Sequence, residues 1–147
     1  MTDTTPLTAR RIDSGLAVLR IIVGIIFMVH GGQKLFVFGF AGVSGAFAQM
    51  GIPLPGVTGP LVGLMEFSGG FALVVGLLTR LSALGLGITM LGAIVMVHAA
   101  AGFFLPTGYE FALALLGATI TLALTGAGSY SVDAVIARRR HVRNATA

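Results

Sequence analysis

The chain contains no cysteine, and only 10% of its 147 residues are charged. Without cysteine, this chain supplies no disulfide, no thiolate nucleophile and no iron–sulfur ligand. The scarcity of charge excludes an ordinary soluble domain, in which charged residues make up about 25%. Acids are the scarcer sign, with five Asp and Glu against nine Lys and Arg. A pI near 10.8 would suit a nucleic-acid partner. The basic residues flank apolar segments, however, and membrane topology accounts for them there, so no nucleic-acid partner is expected.

Apolar sequence fills the space. Hydrophobic residues make up 56% of the chain and the mean hydropathy is +0.99, which defines an integral membrane protein. The length allows one compact bundle and no separate soluble domain. The stretch 21–36 organises it, with an apolar run leading into His30, Gln33 and Lys34 beside Gly31-Gly32. Ionisable groups on such a helix point to function, because each costs about 2.5–3.5 kcal/mol in hydrocarbon even on the lenient insertion scale.

Apolar runs and their Gly/Pro breaks predict an all-α fold with four transmembrane helices running up-down-up-down. The helices are expected at roughly 14–36, 59–78, 81–104 and 109–125, within a transmembrane domain of about 14–128. Pro60 suits a first helical turn. A polar tail (1–13) precedes this domain and a basic tail (129–147) follows it. Within the Gly- and Pro-rich connection 38–58, Phe47-Ala48-Gln49-Met50 suggests a short interfacial helix. Arg10-Arg11 could open an export signal ending at Ala46-Phe47-Ala48. That site lies too far past the apolar run, so no cleavage is expected. Arg10, Arg11, Arg20, Arg80, Arg138, Arg139, Arg140 and Arg143 fall toward one side, against Lys34 alone on the other. The positive-inside rule then places both termini in the cytoplasm.

The remaining ionisable groups cluster in depth. With Arg80 at the inner boundary, Glu66 lies about 20 Å and His98 about 27 Å outward at 1.5 Å per residue. His30 and Lys34 occupy the outer third of the first helix, and Glu110 begins the fourth. Arg20 stands apart in the inner half, where no acid shares its depth, so carbonyls or hydroxyls are its expected partners. Asp13 and Asp133 at the cytoplasmic edge are the alternatives.

Three stripes of small residues carry these groups, and such stripes pack against neighbouring helices. They are Arg20, Gly24, Phe27, Gly31, Lys34; Gly59, Gly63, Glu66, Gly70; and Glu110, Ala114, Gly117, Thr121. Simpler readings stand beside the functional one. Lys34 and Arg20 can snorkel, Glu110 can be a solvated first-turn acid, and His98 can bond a backbone carbonyl. Glu66 inside an apolar span must be protonated, paired or wetted. It is expected within hydrogen-bond reach of His30, Lys34 or His98. Gly24-x3-Met28-Val29-His30 also matches Gly92-x3-Met96-Val97-His98, a faint internal repeat.

Leu19-Arg20, then His30-Gly31-x2-Lys34-Leu35-Phe36, Glu66-x2-Gly69, Gly76-Leu77-x2-Arg80 and Gly126-x-Gly128-x2-Ser131-x-Asp133 together resemble the DoxX family of small four-helix membrane proteins. The resemblance covers nearly the whole chain. It implies a multi-pass protein of the bacterial inner membrane and a link to oxidoreductase systems, including thiosulfate:quinone oxidoreduction. Mycobacterial members associate with thiol-handling and superoxide-detoxifying proteins. Direct thiol chemistry would have to come from a partner, since this chain has no cysteine.

On this reading the chain is the membrane subunit of an oxidoreductase, binding a quinone in its outer half. A quinone head needs donors at its carbonyl oxygens and a proton acceptor or donor nearby. Glu66, His30 and His98 are the candidate catalytic residues. Lys34, Gln33 and Glu110 are candidate substrate contacts, and Arg20 and Arg80 are candidate structural ion-pair residues. No residue can carry an electron, so a redox partner protein with a flavin, haem or metal is implied. No metal site is expected in this chain. Besides the lipid bilayer, a second copy of the chain is a further candidate partner. Three other classes remain open: a scaffold or assembly subunit, a small proton-coupled carrier built on Glu66, and a haem held by His30 and His98.

Overall fold

The computed structural model describes residues 6–145, and every regular element among them is helical. The first, α1, runs over Pro6–Gly32 and passes through a π-helical segment, Gln33–Phe38, into α2, Gly39–Gln49. Then come α3 (Pro55–Val75), α4 (Thr79–Ala93) with a π-helical extension Ile94–His98 and a 3₁₀ turn Ala99–Ala101, and α5 (Glu110–Thr125). The last helix, α6, spans Val132–Ala145. Three helical stretches are long and apolar enough to cross a membrane: 7–49, 55–75 and 79–101. The apolar α5 is shorter, at 16 residues.

The boundaries depart from expectation where a local device sets them. Helix α1 begins well before residue 14, so 6–13 extend it rather than forming a tail, while 1–5 lie outside the described residues. Asp13 fixes this extension by accepting hydrogen bonds from the backbone N–H (3.2 Å) and hydroxyl of Ser129. The segment 38–50 is a full helix continuous with α1, not one interfacial turn. Helix α3 starts at Pro55, which places Pro60 inside it. It ends before residue 78 because Gly76 takes a left-handed conformation (φ 73°), and the N–H groups of Gly76 and Leu77 both reach back to the Ala72 carbonyl.

Most of the basic tail is helix α6, because Ser131 caps it, accepting from Ala134 N–H at 3.1 Å. Asp133 in turn caps α4 from a distance. Its two carboxylate oxygens accept from Leu78 N–H (2.8 Å) and Thr79 N–H (2.9 Å). A cap supplied from 55 residues away leaves no local signature in the sequence.

Helix α1 packs along α3, α3 against α4, α4 against α5, and α5 back against α1. Glycine sets the closest contact. A Cβ at Gly24 would lie 2.7 Å from the Gly70 carbonyl oxygen, and one at Gly31 would overlap the backbone of Glu66 and Phe67. Gly24 facing Gly70 while Gly31 faces residues 66–67 makes α1 and α3 antiparallel. The core between the helices holds Val23, Phe27, Leu73, Leu86, Met90, Leu115 and Leu122. Ile22, Phe71, Ile88, Ile120 and Leu124 point outward and are exposed, as a lipid-facing surface requires.

The first two small-residue stripes are packing faces, since Arg20, Gly24, Phe27 and Gly31, and Gly59, Gly63, Glu66 and Gly70, are all buried. The third is not. Ala114, Gly117 and Thr121 are exposed, and α5 instead buries Ala112, Leu115, Thr119 and Leu122. Bulk decides this, because leucines at positions 115 and 122 bury more apolar area than alanine and glycine at 114 and 117.

Candidate functional site

Two ends of the helix pack carry polar groups. At one end a cavity of about 240 Å³ opens between α1, α3, the α4 extension and α5, and the 105–108 loop closes one side. Its apolar wall includes Phe27, Met90, Phe111 and Leu115; its polar wall is His30, Lys34, Glu66 and His98.

Glu66 projects from the buried stripe of α3 and accepts a hydrogen bond from the Lys34 ammonium. The glycine contact makes this reach short, because Gly31 lets the α1 backbone lie directly on residues 66–67 one turn before Lys34. Lys34 itself sits in the first π-helical segment, and His98 ends the second. π-Helical turns are rare and occur frequently at functional sites, where they re-aim side chains off the α-helical register.

His98 Nδ1 lies 2.8 Å from the Thr107 carbonyl oxygen. A carbonyl only accepts, so Nδ1 donates in this contact, and Nε2 is the ring nitrogen left free for a ligand. His30 is exposed at the rim, its ring centroid 6.4 Å from that of Phe111. Of the three groups expected near Glu66, Lys34 makes the direct contact, and both histidines line the same cavity.

Four other residues lie differently. Gln33 is exposed and outside the lining, because the widened π turn swings it away from α3 while Lys34 faces in. Glu110 is occupied by its own loop, with Oε1 accepting from Leu105 N–H at 2.8 Å, so it shapes the cavity's closing segment without lining the cavity. Arg20, at the opposite end, is 2% exposed. It donates from Nη1 to the carbonyls of Leu73 (2.9 Å) and Val74 (3.1 Å), and from Nη2 to that of Tyr130 (2.7 Å). It is thus held by carbonyls and not by an ion pair. Arg80 is exposed, and among the described residues no acid pairs with it. Asp133, which lies in the same groove as Arg80, accepts the hydrogen bonds that cap α4.

Sequence reasoning missed the 105–108 loop and Phe111 as walls, since nothing in their own spacing marks them. No group of three or more potential His, Cys, Asp or Glu ligands occurs among the described residues. A haem does not fit this cavity, whose volume falls below the roughly 300–1,000 Å³ of clefts for drug-sized ligands, which are smaller than a porphyrin.

These features define a helical membrane protein with a buried ion pair beside a small, mostly apolar cavity. The family model for DoxX matches residues 15–99, and that for the TQO small subunit DoxD matches 58–147. The chain is 36% identical over 128 residues to "Inner membrane protein YqjF" of Escherichia coli, covering 86% of this chain and 95% of the relative. It is 34% identical over 136 residues to "Putative oxidoreductase CatD" of Bacillus subtilis, covering 92% and 96%. The chain belongs to the DoxX family. No solved structure matches it significantly.

Proposed function

We propose that this protein is the membrane subunit of an oxidoreductase system in the bacterial inner membrane and that it binds a quinone head group in the 240 Å³ cavity. The observation that carries the reading is the Lys34–Glu66 pair on the polar wall of a largely apolar cavity that also holds two histidines. A cavity of that size suits one ring, and an apolar wall suits a ligand drawn from lipid. Lys34 supplies a hydrogen-bond donor for a carbonyl oxygen. His98 Nε2, left free by the Thr107 contact, lies in the same wall to hydrogen-bond the ring's oxygens, and Glu66 balances the Lys34 charge. The ring's electrons are exchanged with a redox partner protein, and the match to a TQO small-subunit family supports the existence of such a partner.

In this reading α1 with α2, α3, α4 and α5 form a four-span up-down bundle with both termini in the cytoplasm. The arginine-rich end, with Arg20, Arg80 and α6, then faces inward and the cavity faces outward. The test is binding of a short-chain ubiquinone or menaquinone analogue to the purified protein, with Glu66→Gln and His98→Ala alongside. Saturable binding that weakens in both variants is expected. Binding that is absent, or indifferent to both substitutions, would leave a scaffold role.

A further inference from the structure

At the other end, where α4 begins and α5 stops, lies an open groove of about 470 Å³. Leu78 and Leu81 form its apolar lip, and both are exposed. Its polar lining includes Thr79, Arg80 and Asp133. The Arg80 guanidinium leans across the end of α5, so that a Cβ at Gly126 would sit 3.2 Å from its Nε. Thr79 is 1% exposed, and its hydroxyl is buried without a hydrogen-bond partner. Such a group in a groove wall calls for an acceptor. Asp133 uses each carboxylate oxygen once, for the α4 cap, and keeps lone pairs and its charge for the groove. The groove therefore presents a cation, a neutral donor and an anion close together. It lies at the ends of apolar helices, at the depth where phospholipid headgroups begin.

We propose that this groove binds the phosphoethanolamine headgroup of a membrane phospholipid. The phosphate sits on Arg80 and the Thr79 hydroxyl, the ammonium faces Asp133, and the acyl chains descend past Leu78 and Leu81. A guanidinium pairs with phosphate through two parallel hydrogen bonds. The neighbouring carboxylate, 2.9 Å from the Thr79 backbone nitrogen, selects a headgroup that brings its own ammonium over one that is only anionic, which like charge would repel. This site is independent of the quinone reading, because it shares no residue with the other cavity.

The test is native mass spectrometry of the detergent-purified full chain with phosphatidylethanolamine, phosphatidylglycerol or inorganic phosphate added, with thermal melting in parallel. Phosphatidylethanolamine should be retained about tenfold better than phosphatidylglycerol, and Arg80→Gln should lose about tenfold, the usual scale of one charged hydrogen-bond pair. Thr79→Val, which keeps the buried volume, should lose retention without lowering the melting temperature. Equal retention of the two lipids would overturn the proposal. So would equal stabilisation by inorganic phosphate, or Arg80→Gln melting earlier while holding lipid normally; the last result would make Arg80 only a cation at the α5 terminus.

Discussion

Glu66 and Lys34 form a lopsided pair: the carboxylate side chain is 5% exposed and the ammonium side chain 22%. The lysine can therefore reach water when its partner is lost, whereas the glutamate cannot. Neutralising the two residues should have unequal effects.

Glu66→Gln keeps the shape and a hydrogen-bond acceptor for Lys34. Assembly should survive, while quinone binding falls about tenfold or more for loss of one charged hydrogen bond. Glu66→Leu should impair both. Lys34→Met should be the most disruptive, approaching the roughly 3–5 kcal/mol of an orphaned buried charge. Size-exclusion profiles and melting curves with ligand titrations would rank the three, and a tolerant Lys34→Met would refute the asymmetry.

Arg20 ties α1 to the end of α3 and to the segment before α6 through three carbonyls. Arg20→Leu should lower the melting temperature of detergent-solubilised protein by several degrees or more, since each hydrogen bond to a charged group contributes about 1.5–3 kcal/mol. Arg20→Lys should recover only part of it, for want of the planar fork. An unchanged melting curve for Arg20→Leu would mean that the carbonyls find other donors.

Gly24→Ala places a methyl group 2.7 Å from the Gly70 carbonyl oxygen. The α1–α3 contact must open, at a cost of about 1–3 kcal/mol for overpacking. Gly15→Ala, where nothing lies within 4 Å, is the control and should be neutral or slightly stabilising. Equal melting of the two variants would show that the helix contact is looser than it is drawn.

A reporter fused after Ala147 should be cytoplasmic, and one inserted between Gly51 and Gly56 external. The positive-inside rule predicts this from the arginine distribution. A cytoplasmic 51–56 loop would reverse the assignment of the two cavities to opposite faces.

Hydropathy and glycine spacing made the helical class and the α1 and α3 packing faces readable, because a buried glycine stripe is a local, periodic signal. Counting residues along the helices placed Glu66 and Lys34 both in the outer half. Hydropathy and glycine spacing failed for α5, where small residues at 114 and 117 face outward and larger ones take the core. They failed again for Glu110 and Arg80, whose surroundings depend on a loop and on a distant cap. Depth along a helix follows from counting residues, but the partner of a side chain follows from what the rest of the chain brings beside it.

The Asp133 cap has a consequence for the order in which the molecule is made. The turn 76–79 is complete in sequence terms long before residue 133 is synthesised, yet two of its N–H groups have no partner until then. Arg20 likewise waits for the Tyr130 carbonyl, and Asp13 for Ser129. Asp13, Arg20 and the 76–79 turn are thus fastened by Ser129, Tyr130 and Asp133, three residues within one short stretch. The helices can enter the bilayer as they emerge, but the arginine-rich end locks only once residues 129–133 have been made. A chain truncated before residue 129 would carry every apolar span and still lack its latch.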